Sequence, residues 1–336
     1  MQYYRLDASG TIDGIQLAER PTPRPRRGEI LVRMRAASLN YLDLMILEGR
    51  APVPSRDGLV PLSDGAGEVV EVGEDVHRVK VGDRIANMMF PRWISGLVPH
   101  DGRSVQVGGN TNGVLTQYAV FDQEAVVTVP DHLSYEEAAT LPCAALTAWV
   151  ALVGPRRILP GEVLLTQGTG GVSLFALQFA KLAGARVIAT TSSEPKADRL
   201  RALGADAVIN YTTTPDWGVA AKKLTGGRGV DHIIEIGGAG SLERSISSSG
   251  MDAQINLVGV LEKTAGLEPG ILMRGVANIQ RITVGSRTSF EAMNRAIAFH
   301  GLKPVIDRVF PFEEARDAFR HFHGRNHVGK VVISIG

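Results

Sequence analysis

The sequence predicts an α/β chain: a doubly wound parallel sheet preceded by a smaller region built mostly of strands. Three observations carry that reading. From Ser134 onward, short apolar runs alternate with stretches of helical spacing, the pattern of strands crossed over by helices. Before residue 125 the apolar residues are spaced by polar ones and cut by glycines, the pattern of an all-β body. And 336 residues exceed what one ordinary core holds, so two domains are expected.

The elements follow in order. "GEILVRMRAAS" (Gly28–Ser38) is β-rich, and "GAGEVVEVGEDVHRVKVGDRIA" (Gly65–Ala86) spaces its valines with polar residues. The Arg/Pro-rich stretch Arg20–Glu29 between them and the N-terminus reads as a solvated connector. Ser134 with Glu137 three residues on forms a capping box that opens a helix toward "EEAATLPCAALTAWVAL". A buried-type strand (Glu162–Gln167), an apolar helix (Val172–Ala185), a strand (Arg186–Thr191) and the helix "EPKADRLRALGA" come next. "AVINY", Val230–Ile236, "AQINLVGV" and "QRITVGS" continue the strands. The tail returns to a helix, "PFEEARDAFRHF", and a strand, "GKVVISI".

Composition excludes several classes. A net charge of +1 gives no footprint for nucleic acid or an anionic membrane. A single cysteine, Cys143, rules out an intrachain disulfide and a cysteine-rich zinc cluster, and it fits a reducing cytoplasm. The start lacks a signal-peptide core, and no run reaches the roughly 18 apolar residues of a membrane helix.

The strongest local motif is "LLTQGTGGVSLFALQFAK". A strand enters Gly168-Thr169-Gly170-Gly171-Val172 and a helix leaves it. The first glycine permits the tight turn and the second lets backbone approach a pyrophosphate at the helix N-terminus. The third small position is Ser173 instead of glycine or alanine. For NAD, an acid should end the second strand and bind the ribose hydroxyls. Thr191 stands there, followed by Ser192, Ser193 and Lys196. Hydroxyls with a cation suit a 2′-phosphate, so NADP(H) is the expected cofactor. The same residues also read as an ordinary helix N-terminus.

With those landmarks in place the chain resembles the medium-chain dehydrogenase/reductases over nearly its whole length. "GEILVRMRAASLNYLDL", "PLSDGAGEVVEVGEDVHRVKVGDRI", the glycine turn, "ALGADAVINY" and "GKVVISI" carry the resemblance. It implies a GroES-like barrel domain (residues 1–125 and 288–336) around a Rossmann domain (126–287), an active site in the cleft between them, and a homodimer. In the zinc branch of that family a cysteine, a His-Glu pair and a second cysteine hold the metal. This sequence has Asn40, Ser63-Asp64 and Cys143 at those positions, and no cysteines in the segment of the structural-zinc lobe. A catalytic zinc needs about three protein ligands. The resemblance is therefore to the zinc-free, quinone oxidoreductase-like branch, and no zinc is expected.

Without a Lewis acid, simple alcohol oxidation loses its main catalyst, whereas conjugate reduction of an enone or quinone needs only donors and a proton. Asn40, Tyr41 and Asp43 are the catalytic candidates. Tyr41 reads equally as a pocket wall, and Asp43 as a helix cap. Trp93 and Cys143 are candidates for the substrate pocket. The family resemblance adds Thr147, Tyr211, Gly259 within "LVGVL" (Leu257–Leu261), Ser286, Arg287, Asn326 and Lys330 as cofactor contacts. His321, His323 and His327 lack the spacing of a metal site, and no nucleophile elbow is present. The expected activity is NADPH-dependent, zinc-independent reduction of a quinone, enone or related carbonyl. An alcohol dehydrogenase using side-chain acid–base chemistry and a non-catalytic NADP-binding protein stay open as alternatives.

Overall fold

A computed structural model describes residues 1–336 except 52–55, 102, 155, 260–269 and 271–276. The chain separates into two compact units, Met1–Leu146 with Val284–Gly336, and Thr147–Thr283. The sequence put the change of character near Ser134 and the domain boundaries at residues 126 and 288; the chain divides instead after Leu146 and before Val284.

The first unit contains strands β1 (Gln2–Leu6), β2 (Ile15–Glu19), β3 (Glu29–Ser38), β4 (Asp64–Val72), β5 (Arg84–Asn87), β6 (Tyr118–Asp122) and β7 (Val126–Thr128). Short helices α1 (Tyr41–Leu47) and α2 (Tyr135–Ala138) follow β3 and β7. Ser134 caps α2 as expected, accepting the Glu137 N–H at 3.2 Å. The helix does not run on unbroken: Pro142 lies in a π-helical turn over Leu141–Ala145, and α3 (Leu146–Val153) continues from it.

The second unit holds β8 (Val163–Gln167), α4 (Gly171–Leu182), β9 (Arg186–Thr191), α5 (Glu194–Ala202), β10 (Ala207–Asn210), α6 (Trp217–Leu224), β11 (Val230–Glu235), α7 (Ala239–Ser248), β12 (Ser249–Leu257) and β13 (Asn278–Arg281). All its strands are parallel, in the order β10-β9-β8-β11-β12-β13. Counted from β8 this is 3-2-1-4-5-6, the doubly wound order of dinucleotide-binding sheets. The order reverses between β8 and β11, so ligands are expected beyond the C-terminal ends of those two strands. β8 is buried along its whole length because helices cover both faces, which explains its unbroken apolar sequence. Val163, Leu165, Ile188, Ile233 and Ile255 form the core with Trp217 and Leu242.

The tail re-enters the first unit as α8 (Arg287–His300), β14 (Ile306–Pro311), α9 (Ala315–His323) and β15 (Lys330–Ser334). Its sheet runs β14-β15-β3-β4-β5-β7, with β6 also on β3. The apolar residues of β3 and β4 pack with Phe310, Phe319 and Ile333 from the tail. Register decides what meets at one end of this sheet. Ser38 pairs with Asp64 on one side and with Val332 on the other, both antiparallel. The end of β3 therefore lies beside the starts of β4 and β15, which brings Asn40, Ser63-Asp64 and Lys330 into one neighbourhood.

Candidate active site

β8 runs directly into the expected phosphate turn. Gly168 closes it with φ +70°, a left-handed conformation that a Cβ makes costly. A Cβ there would meet only Ile236 Cδ1, at 3.8 Å, so the backbone angle and not crowding calls for glycine. Gly170 differs. Its φ is −74°, which any residue adopts. A Cβ built on it meets nothing within 4 Å. No neighbour among the described residues requires a glycine there, whereas a ligand pressed against the backbone would. α4 begins at Gly171 with no side-chain cap, leaving the N–H groups of its first turn for an anion. Thr169 is buried within the turn, and Val172 is half-buried. Ser173 is buried and its Oγ donates to the Gln167 carbonyl at 2.6 Å. The unexpected serine thus ties α4 to the end of β8.

A carboxylate that the sequence did not single out braces the same region. Glu235, the last residue of β11, is fully buried. It accepts from Gln167 Nε2 at 2.7 Å, Ser241 Oγ and Ser245 Oγ at 2.5 Å, and the N–H groups of Gly237 and Gly238 at 2.8 and 3.1 Å. Five donors stand where a counterion would otherwise be needed. Its carbonyl accepts the Val258 N–H at 2.9 Å and the Gly259 N–H at 3.4 Å. The ends of β8, β11 and β12 are locked together at the reversal point. The available signal was an acid inside an otherwise apolar run, "IIEI", one residue before two glycines.

At the end of β9, Thr191 is 1% exposed and its Oγ1 is sealed without a hydrogen-bond partner. Ser192, Ser193 and Lys196 follow it, each half-buried. Tyr211, exposed, donates its N–H to the Thr191 carbonyl at 2.9 Å. The position closing β9, where an acid would bind ribose hydroxyls, carries none.

In the first unit, Asn40, Asp43, Ser63, Asp64 and Lys330 are all buried. Lys330 Nζ donates to Asn40 Oδ1 and to the Leu39 carbonyl, each at 2.6 Å. Asn40 Nδ2 points to Ser63 Oγ at 3.4 Å, and Ser63 Oγ donates to Asp64 Oδ1 at 2.7 Å. Asp64 Oδ2 accepts the Cys143 N–H at 2.9 Å, from the π-helical turn. Asp43 accepts the Asn40 N–H at 2.7 Å, which makes it a cap of α1. Asn87 fixes the loop beneath, accepting the Gly65 N–H at 2.9 Å and donating to the Ser63 carbonyl at 2.8 Å. Burial pushes the Asp43 carboxyl up to about 7, helped by the charge of Asp64. Burial also raises Asp64 and lowers Lys330, whose ammonium is held most by Asp64, then by Cys143 and Asp43.

The remaining predicted residues are spread out. The Tyr41 hydroxyl accepts from Arg325 Nη2 at 3.1 Å, and the guanidinium groups of Arg325 and Arg50 lie 5.3 and 5.8 Å from its ring centroid. Trp93 is buried, its Nε1 donating to the Gly96 carbonyl at 3.0 Å. Ser286 caps α8 by accepting the Ser289 N–H at 3.2 Å. Arg287 pairs with Glu124 and, at 3.5 Å, with Glu291. Thr147 is buried on α3, and Asn326 is exposed. Val260 and Leu261 of "LVGVL" lie outside the described residues. His321 pairs with Asp307 at 2.7 Å, His323 reaches Glu48 at 3.8 Å, and His327 stacks on Phe322. Among the described residues no group of three or more His, Cys, Asp or Glu gathers to hold a metal.

The alcohol dehydrogenase GroES-like domain family matches residues 26–131, and the zinc-binding dehydrogenase family matches residues 171–298. A zinc-type alcohol dehydrogenase-like protein of Schizosaccharomyces pombe is 40% identical, covering 100% of this chain and 99% of its own length. The chain belongs to the medium-chain dehydrogenase/reductase superfamily. A chloroplastic quinone oxidoreductase of Triphysaria versicolor is 29% identical over 96% of this chain and 95% of its own length, in keeping with the quinone oxidoreductase-like branch. The crystal structure of a putative alcohol dehydrogenase from Sinorhizobium meliloti matches this chain with a TM-score of 0.92, at 40% identity and covering 100% and 99% of the two chains. The Escherichia coli quinone oxidoreductase, solved with NADPH, has a TM-score of 0.85 at 24% identity over the full length of both chains, which establishes the shared fold.

That family implies two bound groups, a dinucleotide and, in one branch, zinc. The uncapped N-terminus of α4, with the open face of Gly170, fits a dinucleotide phosphate. The Asn40–Cys143 cluster does not fit a zinc ion. It offers an amide, a hydroxyl, carboxyls and one thiol, with an ammonium already hydrogen-bonded among them. No helix among the described residues is long and apolar enough to cross a membrane.

Proposed function

We propose that this chain is a zinc-independent, NADPH-dependent oxidoreductase that reduces a quinone, an enone or a related carbonyl. The observation that carries the reading is a glycine turn with no acid closing β9, in the same chain as Asn40, Ser63-Asp64 and Cys143 at the positions where the family resemblance expects zinc ligands, with Lys330 bonded to Asn40. Bound NADPH would supply the hydride. The backbone N–H groups at the start of α4 would hold the pyrophosphate, and Ser192, Ser193 and Lys196 the 2′-phosphate. Asn40 Nδ2 would donate to the carbonyl oxygen as negative charge grows on it. Tyr41 offers a second hydroxyl donor on the following residue. Asp43 holds the first turn of α1 and with it Asn40. The family resemblance extends this reading to a homodimer, and the single cysteine extends it to a reducing cytoplasm.

A second reading is oxidation of an alcohol, the activity in the name of the 40% identical zinc-type alcohol dehydrogenase-like relative, with side-chain acid–base chemistry in place of the metal. One assay separates them. Purified protein is given NADPH or NADH with a panel of quinones and enones, and NADP⁺ with a panel of alcohols, while its zinc content is measured. The expected result is turnover with NADPH and an acceptor, without stoichiometric zinc. A phosphate contact of about 1.5–3 kcal/mol should favour NADPH over NADH by roughly tenfold or more in kcat/KM. Activity that tracks bound zinc, or tight NADPH binding without turnover on any acceptor, would overturn the proposal.

A further inference from the structure

Gln167 closes β8 and is buried, yet every polar atom of its side chain is used. Its Nε2 donates to Glu235 Oε2 at 2.7 Å and to Ser245 Oγ at 2.9 Å, and its Oε1 accepts the Ile236 N–H at 3.2 Å. Its main-chain carbonyl accepts Ser173 Oγ at 2.6 Å. One residue is therefore bonded toward both helices that begin at the reversal point of the sheet. It reaches α4 through Ser173, and α7 through Ser245 and Glu235. Glu235 extends the tie, because its Oε1 takes the N–H groups of Gly237 and Gly238 and the hydroxyl of Ser241 at the start of α7. The two turns also lie against each other: a Cβ on Gly168 would meet Ile236 Cδ1 at 3.8 Å. Apolar packing would hold two strand ends together. A buried polar network with its bonds satisfied fixes their spacing and direction as well.

We infer that Gln167 is a positioning residue for the cofactor: it fixes the spacing between the glycine turn Gly168–Gly171 and the turn Ile236–Gly238, so that both sides of the crevice beyond β8 and β11 fit one dinucleotide at once. The inference rests on the proposed binding of NADPH at the start of α4. Gln167 touches no cofactor atom in this scheme and acts through the two turns. A dinucleotide crosses the reversal point of such a sheet, with its pyrophosphate at the first helix. It therefore depends on both turns. Adenosine 2′,5′-bisphosphate ends at one phosphate and needs only the glycine turn and the end of β9. Binding groups have to be held to within about 0.5 Å, so a change in the spacing of the turns weakens the long ligand and spares the short one.

The test is calorimetric titration of the full-length protein with NADPH and with adenosine 2′,5′-bisphosphate. Gln167→Met keeps the length of the side chain and removes the three hydrogen bonds of its amide. It should bind NADPH at least about tenfold more weakly than wild type, and the bisphosphate within about twofold, because only the preorganised spacing is lost. Gln167→Glu combined with Glu235→Gln exchanges donor and acceptor between the two side chains and keeps an acceptor for the Ile236 N–H. This swapped pair should bind NADPH within about threefold of wild type, since the coupled partners are changed together. A purely structural role would lower the melting temperature of Gln167→Met and leave its affinity for both ligands as in wild type. Unchanged NADPH affinity in Gln167→Met, or an equal loss for both ligands, would overturn the inference. If Gln167→Met does not fold, the swapped pair decides: failure to fold, or NADPH binding weaker by about tenfold, overturns it as well. Wild type that binds no NADPH would end the proposed function and this inference together. NADPH binding without turnover would end the proposed function and leave these readouts standing.

Discussion

Asp43 accepts the N–H of Asn40 while buried beside Asp64, and its carboxyl titrates near 7 instead of near 4. The unfolded chain ionises this group from about pH 4 upward. Between about pH 4 and 7 the folded state therefore binds the extra proton, and stability falls as pH rises through that window. Inside the window the loss approaches about 1.4 kcal/mol for each rise of one in pH. Asp43→Asn keeps an acceptor for the Asn40 N–H and carries no charge. Its unfolding free energy, measured by denaturant titration across pH 4–7, should decline less steeply than that of wild type. Equal slopes would mean that the carboxyl titrates normally. At this scale the sequence named Asn40, Asp43 and Cys143 by position alone. It assigned Lys330 to the cofactor, because nothing in "GKVVISI" reveals a partner 290 residues away.

The glycine turn separates two reasons for the same residue type within one element. Gly168 is required by its backbone angle, whereas no neighbour among the described residues requires Gly170, whose face over the helix N-terminus is open. Gly168→Ala should destabilise the protein by about 1–2 kcal/mol, the cost of a left-handed conformation. Gly170→Ala should leave thermal stability unchanged or slightly raised, by up to about 1 kcal/mol. It should nevertheless weaken NADPH binding by about tenfold or more, because the new methyl lies where a phosphate must approach backbone. Calorimetric titration of both variants checks this. Unchanged affinity in Gly170→Ala would place the phosphate elsewhere. The turn was legible because strand, glycines and helix are consecutive. Its brace was not, because Glu235 reaches Gln167 from 68 residues further along the chain, across neighbouring strands.

On the scale of the whole molecule, the proposed reading puts the dinucleotide on the unit Thr147–Thr283, whose six-stranded parallel sheet has the doubly wound order. A ligand that binds only the folded state stabilises it by mass action, by about 2.7 kcal/mol at a concentration one hundred times its Kd. Saturating NADPH should raise the melting transition accordingly. It should also slow amide exchange at Gly170, Gly171 and Val172 more than at β14 or α9. Protection confined to β14 and α9 would contradict the assignment. The sequence by itself determined the alternation of strands and helices, the glycine turn between β8 and α4, and the lack of an acid closing β9. Each of these is written in adjacent residues through periodicity and turn chemistry. Only the tertiary structure decided that Lys330 joins Asn40, Ser63 and Asp64 in one buried cluster beside the half-buried Cys143. The physical reason is strand register. β3 pairs with β4 on one side and with the final strand on the other, and a pairing between distant segments leaves no periodic mark in either.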